Sequence, residues 1–357
     1  MITSRRIPQL DLFRFLAACM VVGFHYLVMG PFLKLYPRPS ASVTEVARYG
    51  YYGVPLFFMI SGFVISMSAH GTTARQFLAA RFTRLYPVFW AACSLTFIGV
   101  HAFGPRLLAV NATGYLSSMT MLAPFIAKRT FVDGVYWTLV VEWQFYFGVA
   151  ALLVTRQFER YRDWYFLGWL VIAEVLLIGQ GHRTLVTLSA AEYAPYFVAG
   201  SAFYSWFSKT ATRLTTTNLL ASGLVSITAS ASRILDVVQW NQYQLDLPTV
   251  VALTALFYGL FALLCLGRLG RLSHPALPRL GALTYSLYLV HQNLGYSVIA
   301  AAQRLLGLPA AIGLAFALAL LMAHALNKFV ERPVASFLRV RRATRSDTVQ
   351  GCRVSIP

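Results

Sequence analysis

The sequence predicts an all-α integral membrane protein, a bundle of about ten transmembrane helices with both termini in the cytoplasm. Of its 357 residues, 58% are hydrophobic and only 12% are charged. Soluble domains carry about 25% charged residues. Half that share cannot cover the surface of a 39.7 kDa globule, so much of this surface is expected to face lipid.

About ten apolar stretches have roughly the length needed to cross a bilayer. They run near 10–31, 50–69, 85–103, 137–155, 164–179, 190–207, 217–233, 248–267, 281–303 and 308–327. The fifth to seventh are short or interrupted by polar residues, so nine or eleven spans also fit. The first contains Asp11 and Arg14 and is not followed by a small-residue cleavage site, so we expect it to stay in the protein.

The loops predicted on the same side of the membrane as the N-terminus carry roughly twice as many Lys and Arg residues as the loops on the opposite side. Because such an excess marks the cytoplasmic side, both termini are expected in the cytoplasm. Residues 1–335 are expected to form one transmembrane domain. The arginine-rich segment 336–357 is expected to be a basic cytoplasmic tail that is disordered or lies on the inner leaflet.

The formal net charge of +18 is interpreted as a topology signal. Lys and Arg stand between the apolar stretches, where they anchor head groups, so no nucleic-acid partner is expected. The four cysteines show no CxxC or Cys/His spacing, so neither a metal site nor a disulfide framework is indicated.

Ionisable residues inside a bilayer are costly, so each is a candidate for function. Arg14 and His25 are eleven residues apart, which places both on one helix face with a rise of roughly 16 Å between them. Arginine binds phosphate through paired hydrogen bonds, and histidine suits proton abstraction near neutral pH. A long donor with phosphates at one end and an acyl group at the other, such as acyl-coenzyme A, can span the two.

Glu142 is the second catalytic candidate. Helix rise places it about 7 Å inside the fourth span, at about the depth of His25. A carboxylate there can orient the imidazole, stabilise its protonated form or hold an acceptor hydroxyl. A structural contact between the two side chains is the alternative.

Four further positions complete the residue-based candidates. Arg81 and Arg84 share a helix face before the third span and suit a phosphate clamp, although anchoring at the inner boundary explains them equally well. Asp11 stands three residues before Arg14, so a neutralising ion pair is the structural alternative. His291 lies near mid-membrane, where it lines a donor channel or packs.

Several stretches, in order along the chain, resemble the acyltransferase 3 family of membrane acyltransferases. The opening helix is similar in Leu10-Asp11-Leu12-Phe13-Arg14 followed by Val21-Val22-Gly23-Phe24-His25. The later matches are Gly53-Val54-Pro55-Leu56-Phe57-Phe58 with Ser61-Gly62-Phe63; Arg81-Phe82-Thr83-Arg84; Tyr136-Trp137-Thr138-Leu139 with Glu142; Tyr285-Ser286-Leu287-Tyr288-Leu289-Val290-His291; and Glu331-Arg332-Pro333. The resemblance is poorest over residues 155–270.

The resemblance implies a ten-helix fold in a bacterial inner membrane and transfer of an acyl group, acetyl by analogy, from cytoplasmic acyl-CoA to an extracytoplasmic carbohydrate. It implies that His25 is essential and that Arg14, Arg81 and Arg84 contact the donor. Asp11, Ser61, Trp137, Tyr288 and His291 are expected to contact substrates. Exopolysaccharide, O-antigen, a lipo-oligosaccharide, a glycolipid or a small secondary metabolite all fit as acceptor, and polysaccharide-assembly proteins are candidate partners.

Other readings stay open at this point. Within the same enzyme, a transient acyl-enzyme on His25 or Ser61 is an alternative to direct transfer. A transporter or flippase of a lipid-linked sugar is a different class, because intramembrane His, Glu and Arg also suit proton-coupled transport. No inverted repeat or paired Gly/Pro-broken helices support it. A non-catalytic scaffold in polysaccharide assembly is the third class.

Overall fold

The computed structural model describes residues 6–123, 131–239 and 244–337, with only the backbone considered for 236–239. Across these ranges the chain is helical and contains no β-strand. Residues 338–357, most of the predicted basic tail, lie outside them. The longer helices are α1 Pro8–Phe24, α2 Gly53–Ala69, α3 Ala74–Phe103, α4 Trp137–Val154, α5 Phe158–Ile178, α6 Ala194–Phe207, α7 Arg213–Gln239, α8 Leu247–Cys265, α9 Leu277–Val290, α10 Gln292–Leu306 and α11 Leu308–Leu326.

Six helical segments of the described chain are long and apolar enough to cross a membrane. They are Pro8–Phe32, Ala41–Ala69, Ala74–Phe103, Gly134–Val154, Leu247–Cys265 and Leu308–Phe337. They agree with an all-α integral membrane protein. The other predicted spans fall below the same criterion of length and hydropathy, so the count of ten and the cytoplasmic placement of both termini stay predictions.

Two predicted spans have different limits in the structure. The third begins at Ala74 instead of residue 85, because Thr73 and Gln76 form a capping box that starts the helix earlier. Arg81 and Arg84 therefore project from inside α3. The stretch 281–303 is two helices, α9 and α10, separated at His291, a break that continuous apolar composition does not reveal.

Helix α1 changes its winding at His25. Residues His25–Met29 form a π-helical turn, in which the Gly30 N–H bonds to the His25 carbonyl. Pro31 follows, and in an α-helix its ring would clash with the carbonyl four residues earlier. The wider π turn provides room for that proline, and such turns often mark functional sites.

Helices α2 and α6 pack with their backbones in close approach. A Cβ at Gly62 would collide with the Phe197 carbonyl, and one at Gly200 would collide with the Met59 carbonyl. Ser66 Oγ also donates to Ser201 Oγ across the interface, at 2.7 Å. Small residues and interhelical hydrogen bonds stabilise helix pairs in lipid, where apolar burial between helices contributes little.

We expect Gly200→Ala to lower the melting temperature of the purified protein, because the new methyl group must displace backbone atoms. Overpacking of this kind costs about 1–3 kcal/mol. Gly313→Ala is the matched control, since nothing lies within 4 Å of a Cβ at Gly313. Equal melting temperatures for the two variants would show that the interface is looser than described.

Candidate active site

Two cavities lie toward opposite ends of the bundle. We call the end where α1 begins the proximal end, and the end where α1 finishes the distal end. The proximal cavity has a volume of about 740 Å³ and lies among α1, α2, α3, α4 and α9. The distal cavity has a volume of about 470 Å³ and is bounded by the end of α1, the start of α4 and the start of α10.

The proximal cavity has a small excess of positive charge. The charged side chains that line it are Arg6, Arg14, Arg81 and Arg84 together with Asp11, Glu142 and Glu331. The guanidinium of Arg81 lies 5.4 Å from the centre of the Phe77 ring, and its Nε is buried without a hydrogen-bond partner among the described residues.

Asp11 offsets part of this charge. Its buried carboxylate pairs with Arg6 at 2.8 Å and with Arg14 at 3.2 Å, so the ion pair expected from the i, i+3 spacing is present. Gly281 of α9 faces Asp11 so closely that a Cβ there would overlap the carboxylate. Asp11 lines the cavity, but both carboxylate oxygens already have partners, so it fits a structural role better than contact with substrate.

Glu142 belongs to the proximal cavity. It accepts a hydrogen bond from Ser61 Oγ at 3.0 Å and a short one from the Tyr146 hydroxyl. Ser61 lines the same cavity. Ser61 and Glu142 thus form one polar cluster on facing sides of α2 and α4.

The prediction that Glu142 contacts His25 is wrong. His25 lines the distal cavity, whereas Glu142 lines the proximal one. Val141 of α4 lines the distal cavity, whereas its neighbour Glu142 lines the proximal one. Successive residues of a helix project about 100° apart, so the two cavities lie on different faces of α4. Counting helix rise compares depths and does not show which face a side chain occupies.

The partner of His25 is His291. His25 Nδ1 lies 2.9 Å from His291 Nε2, and His291 Nδ1 lies 2.8 Å from the Tyr288 carbonyl. A carbonyl only accepts, so His291 Nδ1 carries the proton. Full burial of His291 favours its neutral form, so its Nε2 accepts from His25 Nδ1–H. The remaining lone pair of His25 is then on Nε2, where it can take up a proton.

His291 was expected to contact substrate or line a donor channel, and the structure gives it a different position. Its side chain is fully buried and lies behind His25, outside the lining of both cavities. Hydrophobic periodicity could not show that the chain breaks at His291 and turns the ring toward α1.

The sequence did not indicate the residues that stabilise the break between α9 and α10. Asp133 is fully buried and accepts hydrogen bonds from the Asn293 N–H at 2.9 Å and the Val135 N–H at 3.1 Å. Its carboxylate thus caps the start of α10 directly after His291. Tyr26 donates to the His291 carbonyl at 2.8 Å. Asp133 was overlooked because only ionisable residues within the apolar stretches were considered.

The distal cavity is lined by aromatic rings and a few polar groups. Trp137 lies against Tyr193, with ring centroids 5.2 Å apart and planes 37° apart. Polar lining comes from His25, Glu192, Arg233 and Gln292. Apolar faces with a small number of placed polar groups are typical of sites for small organic ligands.

Comparison with known proteins decides the family. A family model described as an acyltransferase domain matches residues 7–325. The chain belongs to the acyltransferase 3 family. Nodulation protein 10 of Rhizobium leguminosarum bv. viciae is similar to this acyltransferase, with 28% identity over 192 residues that cover 47% of this chain and 48% of that protein. The chain therefore spans about half the length of this curated relative. No solved structure matches.

The hydrogen bond between the two histidines gives a test. We expect His291→Phe to lower acyl transfer on the order of 10²-fold, because His25 loses the acceptor that fixes its tautomer. His291→Gln offers a side-chain oxygen as replacement acceptor and should retain more activity. Initial rates across a pH series should show a changed profile for His291→Phe. Equal losses with unchanged profiles would indicate a packing role.

Proposed function

We propose that this acyltransferase transfers an acyl group, acetyl in the first instance, from acyl-CoA bound in the proximal cavity to a hydroxyl of a carbohydrate or glycolipid bound in the distal cavity. His25 is the general base. The observation that carries the proposal is the position of His25, which faces the distal cavity while its helix also supplies Arg14 to the proximal one.

The charge of the proximal cavity supports a CoA donor. Arg14, Arg81 and Arg84 project into one space, and guanidinium groups bind phosphate oxygens with charge-assisted hydrogen bonds. A CoA chain with its phosphates at this end directs its acyl thioester toward α9 and His25. In this arrangement Glu142 has no contact with the base, and its place beside Arg81 limits the positive charge of the donor cavity.

The lining of the distal cavity supports a sugar acceptor. The C–H face of a sugar ring packs well against an aromatic plane, and its hydroxyls need polar partners. Trp137 and Tyr193 supply the planes, and Glu192, Arg233 and Gln292 supply polar groups around them. The acceptor hydroxyl then lies against His25 Nε2.

The chemistry follows from this placement. His25 Nε2 takes the proton of the acceptor hydroxyl while the oxygen attacks the thioester carbonyl carbon. His291 accepts from His25 Nδ1–H throughout and so supports the positive charge that forms on the imidazole. The tetrahedral intermediate collapses with cleavage of the carbon–sulfur bond, and His25 returns the proton to the departing CoA sulfur. An ester and CoA thiol leave, and no acyl-enzyme on Ser61 is required.

The same proposal implies a topology. The proximal end faces the cytoplasm of a bacterial cell, where acyl-CoA is made, and the distal end faces the other side of the inner membrane. Ten spans with both termini inside satisfy this orientation, which agrees with the excess of Lys and Arg in the loops at the proximal end.

A transporter of a lipid-linked sugar is the second candidate function. Cavities toward both ends of a membrane bundle suit alternating access as well as two-substrate transfer. The two functions differ in whether a covalent bond to the acyl group forms, so acyl transfer itself discriminates between them.

We expect His25→Ala to abolish incorporation of label from radiolabelled acetyl-CoA, because no other group replaces the base. Membranes from cells that express equal amounts of wild type and variant are supplied with the labelled donor, and glycan and lipid fractions are counted. Label in one fraction only with wild type supports the enzyme and identifies the acceptor pool. Equal labelling by both proteins would contradict the role of His25, and no labelling by wild type would favour transport.

The donor site gives a separate test. We expect Arg81→Gln or Arg84→Gln to raise the KM for acetyl-CoA about tenfold with a smaller change in kcat, because each loses a charge-assisted contact to phosphate. Arg75→Gln is the control, since Arg75 lies exposed on the same helix outside the cavity lining. An equal rise in KM for the Arg75 variant would indicate general attraction of the anion.

A further inference from the structure

A thin wall separates the two cavities. Val54 of α2 and Tyr288 of α9 line both of them. The thioester of a donor in the proximal cavity and the base in the distal cavity therefore meet across these two side chains.

The ring of Tyr288 is held in place within this wall. Its hydroxyl is 2.9 Å from Thr138 Oγ1 and donates to the Val135 carbonyl at 3.3 Å. Its ring packs edge-on against Phe57, with centroids 5.7 Å apart, and the residue is only 8% exposed. These contacts lie on α2, on α4 and on the turn directly before α4, so the closed position of the phenol bridges α9 to both helices.

The backbone and the side chain of Tyr288 make separate interactions. Its carbonyl accepts from His291 Nδ1 and so takes part in fixing the tautomer of the histidine pair. Rotation about the side-chain torsions of Tyr288 breaks the bond to Thr138 and moves the ring but leaves this carbonyl where it is. The ring also contacts the His291 ring, with centroids 5.6 Å apart. Opening of the wall therefore removes this ring contact, while the backbone bond to His291 Nδ1 stays.

We propose that Tyr288 is a gate between the donor and acceptor cavities, which opens to pass the acyl thioester and otherwise keeps water of the distal cavity away from it. This proposal rests on the proposed function. It makes Tyr288 a determinant of which nucleophile is acylated, an acceptor hydroxyl or water, because exclusion of water prevents loss of a reactive acyl group.

The reaction that the gate suppresses is hydrolysis of the donor. A water oxygen attacks the thioester carbonyl carbon, the carbon–sulfur bond breaks, and the CoA sulfur gains the proton that the water loses. The products are a carboxylic acid and CoA thiol. In the absence of acceptor, the release of thiol from acetyl-CoA therefore measures how often water reaches the donor.

The test is the rate of CoA release from acetyl-CoA by purified protein without acceptor. We expect Tyr288→Ala to raise this rate about tenfold or more over wild type by admitting water. Tyr288→Phe keeps the ring but loses the hydrogen bond to Thr138, so it should raise the rate of CoA release by a smaller factor. Val54→Ala thins the same wall from the other side and should also raise the rate.

Tyr258→Phe is the matched control. The Tyr258 hydroxyl makes a similar bond to Ser222 Oγ, at 2.9 Å, but Tyr258 lines neither cavity. Its variant should release CoA at the wild-type rate. A comparable rise in Tyr258→Phe would overturn the gate, because loss of a buried hydroxyl bond anywhere would then suffice.

Failure of the gate and failure of the enzyme proposal have different results. If wild-type membranes transfer acetyl groups but Tyr288→Phe and Val54→Ala proteins, monodisperse on size exclusion, release no additional CoA, the gate is wrong and the enzyme stands. If wild type neither transfers acetyl groups nor releases CoA, both proposals fall.

Discussion

The hydrogen bond between His25 and His291 joins two helical segments where each departs from regular α-helix. Helix α1 widens into a π turn that begins at His25, and α9 gives way to α10 at His291. A π turn has more residues per turn than an α-helix, so it alters the direction of the side chains that follow. The bond joins the two irregular segments, with 2.9 Å between ring nitrogens, and holds His25 at the edge of the distal cavity.

The surrounding contacts stabilise this arrangement from outside the cavities. Asp133 satisfies an N–H group at the start of α10 from a loop that leads into α4, and Tyr26 of the π turn satisfies the His291 carbonyl. Interruption of a helix in a membrane leaves backbone groups without partners, and each such group costs several kcal/mol in lipid. These side chains supply the partners, so the break persists and the imidazoles stay aligned.

Much of the architecture could be predicted from the sequence, because crossing a bilayer demands long apolar helices and composition records that demand. Arg14, Arg81 and Arg84 line one cavity, while their contact with a donor, which the family resemblance implies, stays a prediction. The pairing of His25 with His291 could not be predicted from the sequence, because it depends on a helix break and a π turn that hydropathy does not reveal. Glu142 was misplaced because the two cavities lie on different faces of α4, and the depth of a residue does not show which face it occupies.

The role of Asp133 could not be predicted from the sequence. A carboxylate in a loop between spans looks like a solvated side chain, and only its burial against the start of α10 shows that it acts as a cap. Likewise, Glu192 and Arg233 belong to the region where the family resemblance is poorest, and they join the distal cavity through tertiary packing alone. The roles of residues that act through long-range contacts are hard to predict from the local sequence pattern.

In the proposed reaction, donor and acceptor occupy opposite cavities and meet at His25. A structure of the protein with a non-hydrolysable ketone analogue of acetyl-CoA would show where the donor binds. We expect phosphates within hydrogen-bond distance of Arg81 and Arg84, and an acyl group that lies beside Tyr288 and points to His25 Nε2. Phosphates bound at the distal end, or an acyl group directed away from α9, would contradict it.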